Sequence, residues 1–202
     1  MNGSGTKMQQ NRHANLSKIE IRGWFDSTND ENFNCLPESH PSFKSGDIAS
    51  ASAIVYITKP SCIPYLSMFS SEGIDLRCLP IIGRYGFPSD RDIVLLFDEI
   101  PKRSVYFVGD ADPVDMMIFL YLQEVLPSSV LWFGVRDAIV KDMVGEQFLI
   151  PLSESERLAI THFPQLEFQC KELIGWNLAN FFTAGKKLES EGFINSQRAP
   201  KD

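Results

Sequence analysis

The sequence predicts an α/β fold: a Rossmann-like parallel sheet of about four strands with helices on both faces, followed by a C-terminal helical extension. Three observations carry this expectation. Short β-branched and aromatic runs recur at residues 53–58, 76–82, 104–109 and 129–134, each of a length suited to a buried strand. Segments with helical apolar spacing separate them, and strand–helix–strand units at this spacing cross over right-handedly and pair in parallel. The chain has 202 residues, 44% hydrophobic and 22% charged, enough for one domain with a sizeable core and not comfortably two.

Residues 1–17 ("MNGSGTKMQQNRHANLS") are polar and read as a disordered arm. "KIEIRGWF" (18–25) alternates well enough for a strand, and residues 26–50 gather Asn, Asp, Ser and Pro into a long loop. Residues 18–52 therefore read as an N-terminal strand and loop, 53–194 as the main domain and 195–202 as a flexible tail. Within the domain "AIVYIT" is the first sheet strand. "SCIPYLSMFSSEG" (61–73) follows as a short helix, with Pro64 near its start and Gly73 closing it. "LRCLPII" is the second strand and "GRYGFPS" (83–89) a glycine-rich loop. Ser89 starts the next helix, with Asp90 and Asp92 in the first turn where the dipole favours them. "SVYFVG" is the third strand, "PVDMMIFLYLQEVL" (113–126) the third helix and "SVLWFG" the fourth strand. Beyond residue 145, "FLIPLS", a helix from Glu154 and a longer helix from Lys171 to about Glu189 make up the extension. "IGWNLANFF" (174–182) has helical apolar spacing and reads as core, or as a partner surface where exposed.

Composition narrows the function. The net charge of −7 argues against a stand-alone nucleic-acid binder, which shows a basic face, but allows an acidic cleft that meets phosphate through divalent cations. Four cysteines without C-x-x-C spacing suggest neither a zinc site nor a redox pair, and the three histidines are isolated. No apolar run is long enough to span a bilayer, and the first sixteen residues lack a signal-peptide core. The reading is a reduced intracellular protein, in cytoplasm and nucleoid or in a nucleus, with no membrane partner.

In parallel α/β sheets the loops after the strand C-termini converge on one edge, where ligands bind. Here they carry Thr58-Lys59, Arg84 to Ser89, Asp110 to Asp115 and Arg136-Asp137. Asp110-x-Asp112 has two readings. Asp112 before Pro113 is a helix start, with Asp115 placed to return a bond to the cap amide as in a capping box. Alternatively, Asp110 and Asp112 chelate magnesium, a hard cation that takes carboxylate, water and phosphate oxygens. Asp110 is the residue the first reading leaves unexplained, because a carboxylate ending a buried strand is desolvated unless something binds it. Lys59, Arg84 and Arg91 read either as phosphate contacts or as counter-charges to the acidic group. "GRYGF" lacks Walker spacing.

The order of "IVYITK", "GRYGFPS", "YFVGDADPVDMMIF", "LWFGVRD", "LIPLSESE" and "GKKLESEGF" resembles the Toprim domain of topoisomerase VI A subunits and the related meiotic double-strand-break proteins. The resemblance runs from about Ile54 to Glu191. Asp110, Asp112 and Pro113 match, as do Gly86 and Pro88, Trp132 and Gly134, Pro151 and Leu152, and Lys187 with Glu189. It implies a Toprim-like sheet and a magnesium site at Asp110 and Asp112. Thr58 stands where the family has its metal-binding glutamate, beside the retained Lys59. Asp115 replaces a glycine and can return the missing charge. Ile93 stands at an arginine position, with Arg91 one turn earlier. The family's tyrosine nucleophile belongs to a winged-helix domain that residues 1–52 do not resemble. Of the five tyrosines, Tyr56, Tyr65, Tyr106 and Tyr121 fall in apolar elements, and Tyr85 alone lies in a loop at the edge.

Two functions follow. One is a magnesium-dependent Toprim domain in DNA cleavage or DNA metabolism, as a hydrolase or with a partner chain supplying a nucleophile or ATPase. The other is a degenerate Toprim-fold module that binds protein or DNA without chemistry.

Overall fold

The computed structural model describes residues 16–27, 43–48, 50–71, 73–99, 103–140 and 145–198. Its centre is a five-stranded sheet of order β1-β3-β2-β4-β5, built from β1 (Phe43–Ser45), β2 (Ala53–Ile57), β3 (Ile81–Gly83), β4 (Ser104–Val108) and β5 (Val130–Trp132). The last four strands pair in parallel, as the alternating pattern predicts, and β1 adds an antiparallel edge to β3. All five residues of β2 are buried. That is why this strand reads as a continuous apolar run rather than an alternation.

Helices flank the sheet: α1 (Lys18–Ser27), α2 (Asp90–Glu99), α3 (Pro113–Val125), α4 (Glu154–His162), α5 (Pro164–Ile174), α6 (Trp176–Thr183) and α7 (Ser190–Arg198). Helix α3 is the hub, with α1, α4 and α5 packed against it. It is apolar nearly all round, and from Pro113 to Phe119 every residue is buried, as expected of a helix enclosed by neighbours. The buried side chains form one cluster running from Leu16 to Ile194.

Several elements differ from the sequence reading. Residues 18–25 are helix α1, not a strand: Ile21, Trp24 and Phe25 are buried at i, i+3, i+4 spacing, whereas Ile19 is 77% exposed. The helix also belongs to the main core, and Leu16, assigned to the arm, is buried there. Residues 1–15 of that arm lie outside the described residues, as does most of the loop at 26–50. The second strand is shorter than "LRCLPII". Leu76–Cys78 is a turn of 3-10 helix capped by Asp75, and Pro80 precedes the strand. The segment after β2 is also 3-10 (Pro60–Met68) with Pro64 inside it, consistent with a proline that withdraws a helix donor. The expected helix from Lys171 to Glu189 is broken twice. Gly175, at φ 95°, divides α5 from α6, and a Cβ there would lie 2.3 Å from the Asp137 carboxylate that caps α6. The chain then turns into β7 (Lys186–Lys187), antiparallel to β6 (Ile150–Pro151). Finally, α7 carries regular structure to Arg198, into the segment expected as a flexible tail. None of the described helices is long and apolar enough to cross a membrane.

Candidate functional site

Strands β2 and β4 pair in register from Ala53↔Ser104 to Ile57↔Val108, so the residues that follow them leave the sheet side by side. Thr58 donates its amide to the Val108 carbonyl at 3.2 Å, and Asp110 lies two residues beyond Val108. Asp112 is the N-cap of α3, in extended geometry, with Oδ1 accepting the Asp115 amide at 2.8 Å and Pro113 opening the helix. The helix-start reading of Asp112 therefore holds. Asp115 does not complete a capping box, however. Its Oδ2 accepts from the Asp110 amide and from Thr58 Oγ1, both at 2.6 Å. The shorter aspartate side chain is held by the strand ends instead of reaching back as a glutamate does in that motif.

The C-terminal segment closes this edge. Pairing of β6 with β7 and an isolated bridge between Ala111 and Leu188 lay residues 187–191 across the Asp110 loop. The bridge consists of Ala111 N–H to Leu188 O at 3.0 Å and Leu188 N–H to Ala111 O at 3.4 Å. Ser190, the first residue of α7, donates its amide to Asp110 Oδ1 at 2.8 Å. A carboxylate at a helix N-terminus is where the dipole favours negative charge.

Two lysines enter the acidic group. Lys59 Nζ lies 2.8 Å from Asp110 Oδ2, 2.7 Å from Glu189 Oε2 and 2.9 Å from Glu191 Oε2. Lys187 Nζ lies 2.7 Å from Glu156 Oε1, 3.0 Å from Glu189 Oε1 and 3.8 Å from Asp112 Oδ2. Glu156 is held from the other side by the capping box it forms with Ser153 at the start of α4. Six carboxylates thus face two ammonium groups, with Asp110, Asp112, Asp115 and Glu156 all buried. Together with Thr58, Lys59, Lys187 and Glu189, they line a cleft of ≈ 420 Å³ whose other walls include Tyr85, Gly86, Ile150 and Pro151.

The charge imbalance appears in the acidities. Burial pushes the Asp112 carboxyl up to about 7; Lys187 opposes this, and Asp110 and Glu156 reinforce it. Asp115 is raised well above the carboxylate range by burial and by the neighbouring Asp112 and Asp110. Asp110 is raised by burial, although Lys59 and Ser190 pull against the shift. Burial works the same way on Glu189 and Glu191, but Lys59 outweighs it and both end below their usual value. Burial likewise opposes the charge of Lys59 and Lys187, yet their carboxylate partners hold both above the ordinary lysine range.

Of the residues singled out from the sequence, Thr58, Lys59, Asp110, Asp112 and Asp115 come together. Arg84 does not join them as a phosphate contact. It is 4% exposed, and its Nε lies 3.2 Å from Asp92 Oδ2 behind the start of α2, where burial hides it from a ligand. Arg91 is exposed on the first turn of α2 and is not among the residues lining the cleft. Arg136 and Asp137 serve the scaffold, binding backbone carbonyls and capping α6 respectively. Tyr85 is at the rim, where its hydroxyl accepts the Ser61 amide at 3.3 Å, and Tyr56 is fully buried in β2. The sequence reading missed Glu156, Ser190 and Glu191. For Glu156 a local signal exists, since Ser153-x-x-Glu156 is a capping-box pattern, but its second role at Lys187 is purely tertiary.

Asp110, Asp112 and Asp115 each offer a carboxylate oxygen, and these lie within 4.8 Å of one another; such a set could hold a metal ion. The donors fit a hard divalent cation, being all-oxygen and at a cleft that admits water. No protein-family model matches the chain, and no curated protein matches it.

Proposed function

We propose that this chain is a Toprim-like domain, related to that of topoisomerase VI A subunits, which binds magnesium through Asp110, Asp112 and Asp115. On this reading it acts on DNA phosphodiesters inside the cell, with a partner chain that supplies the nucleophile or an ATPase. The observation that supports it best is convergence. Segments that carry the resemblance lie far apart in the chain, yet Thr58, Lys59, Gly86, Asp110, Asp112, Pro151, Lys187 and Glu189 all line one cleft. The surplus of buried carboxylate over ammonium supports the cation, since a divalent ion would favour the ionised forms that burial now disfavours.

Bound magnesium would neutralise phosphate charge and orient the attacked oxygen. The chain's own residues do the rest. Asp112 couples the site to α3 through its cap, and Thr58 orients Asp115 through a hydrogen bond. Lys59 and Lys187 anchor the glutamates of the C-terminal segment. With a net charge of −7, grip on DNA falls to the cation and to the partner rather than to a basic face.

A second reading is a catalytically degenerate Toprim-fold module serving protein or DNA interaction. It is favoured by Thr58 in the glutamate position and by an ammonium already seated on Asp110. Calorimetric titration with magnesium chloride, with and without a short DNA duplex, separates the two. Heat of binding that disappears in Asp115→Asn supports the metal site. Its absence in the wild type and in Thr58→Glu leaves the degenerate module.

A further inference from the structure

Two carboxylate sets at this edge share Asp110: one is Asp110, Asp112 and Asp115, the other Asp110, Glu189 and Glu191. Only the second contains an ammonium group bound by all its members. Lys59 Nζ meets the three carboxylates at 2.8, 2.7 and 2.9 Å. An ammonium has three donors and no acceptor, so three carboxylates satisfy it completely. Its seat is braced from outside: Ser61 Oγ donates to Glu191 Oε1 at 3.0 Å, Lys187 sits 3.0 Å from Glu189 Oε1, and the Ser190 amide holds Asp110 Oδ1. In the first set Lys59 meets Asp110 alone, Lys187 reaches Asp112 only at 3.8 Å, and among the described residues no lysine or arginine forms an ion pair with Asp115.

We infer that Lys59 fixes the number of divalent cations at this edge at one, because its ammonium meets all three carboxylates of the second set but only Asp110 of the first, and so leaves Asp112 and Asp115 to hold an ion. This rests on the magnesium reading of the first set. A second divalent ion would have to enter a space in which all three carboxylates already contact one ammonium, and repulsion at such short range in a partly buried site is strong. The consequence concerns reaction class. Two-metal displacement places ions about 3.5–4 Å apart, one on the attacking and one on the leaving oxygen. Here the second position is held by a lysine that cannot exchange, so any phosphodiester chemistry is one-metal chemistry. Lys59 acts as a positioning residue, directing the cation to one of two adjoining sets without itself binding phosphate.

The test is a count of bound manganese on the full chain, by calorimetry and by electron paramagnetic resonance of the free ion. Three proteins are compared: the wild type, Lys59→Met, and Lys59→Met/Glu189→Gln/Glu191→Gln. The expected stoichiometry is one, two and one. If Lys59→Met is unfolded without cation, its thermal midpoint is followed against manganese concentration. Rescue that the triple variant lacks is then the same result. An unchanged count in Lys59→Met, or two ions on the wild type, overturns the inference. No ion on the wild type but one on Lys59→Met, lost in the triple variant, upholds the role of Lys59 while rejecting the magnesium site at Asp112 and Asp115.

Discussion

Asp112→Asn should make the protein more stable at pH 8 in the absence of divalent cations. The side chain is 5% exposed and its carboxyl is pushed up to about 7 from an ordinary 3.8. A unit of pKa is worth about 1.4 kcal/mol, so keeping this group ionised in the folded state costs on the order of 4 kcal/mol relative to the unfolded chain. Asparagine removes that term and retains the cap, because its carbonyl oxygen can still accept the Asp115 amide that Oδ1 accepts at 2.8 Å. The new amide nitrogen would face Lys187, 3.8 Å from the oxygen it replaces. Lys187 keeps its closer partners Glu156 and Glu189, so this clash offsets about 1–2 kcal/mol of the gain. A net stabilisation of about 2–3 kcal/mol follows, which for a chain of this size raises the thermal midpoint by roughly 5–10 °C. Asp112→Ala loses the cap as well and should fall about 1 kcal/mol below the asparagine variant. Urea denaturation in EDTA measures both. A wild type as stable as Asp112→Asn, or more so, would show that the cluster does not hold excess charge and would remove the electrostatic argument for a cation. Magnesium affinity, where present, should move the opposite way and be lost in Asp112→Asn.

The same strain sets a pH dependence. Asp110, Asp112 and Asp115 are all raised in the folded protein, so their contribution is fully present below about pH 4 and is lost as pH rises through the folded values, about 7 for Asp112. Glu189 and Glu191, which are lowered, contribute stability that is fully present above about pH 4.5 and is lost only as pH falls below it, so they add no slope at higher pH. Thermal midpoints in EDTA should therefore decline between about pH 4 and pH 8, and magnesium should flatten the slope; a rising curve would contradict the direction of the shifts. Thr58→Glu places a further carboxylate against Asp115 at a buried position. It should lower stability in EDTA by about 3 kcal/mol, as an uncompensated buried charge does, and tighten magnesium binding by roughly tenfold through added ligand charge. Calorimetry and denaturation on the one variant check both, and loss of stability without any gain in affinity would refute the shared site.

The parallel sheet was legible because β2, β4 and β5 are short apolar runs bounded by turn residues, and Asp112-Pro113 marks a helix start by local chemistry alone. Helix α1 was misread because "KIEIRGWF" also has an alternating look over its first residues. The separation of buried Ile21, Trp24 and Phe25 from exposed Ile19 decides the matter, and that depends on where α3 lies. Half of the site was legible for the same reason as the sheet: crossover topology brings the loops after β2 and β4 together. The other half reaches the cleft through the β6–β7 pairing and the Ala111–Leu188 bridge, which join residues 37 and 77 positions apart in the chain. Glu189 lies between β7 and α7 and Glu191 in the first turn of α7, a break that the expected helix from Lys171 to about Glu189 does not contain, so no local signal aims both at Lys59.

The bridge between Ala111 and Leu188 also places the cover of the acidic edge far downstream of the sheet it closes. The strands from Ala53 to Trp132 can pair while residues beyond 150 are still being synthesised, because every strand of the parallel sheet is already present. At that stage Asp110 and Asp112 have neither Ser190 nor Lys187 nearby, and must stay hydrated. The covering bridge residue Leu188 lies 77 positions beyond Ala111, and contacts so distant in sequence carry a loop-closure cost. A chain cut before residue 150 would therefore hold every strand of the parallel sheet and leave its acidic edge uncovered. On such a chain the aspartates would meet a divalent cation without the segment that Ser190 and Lys187 lay beside them.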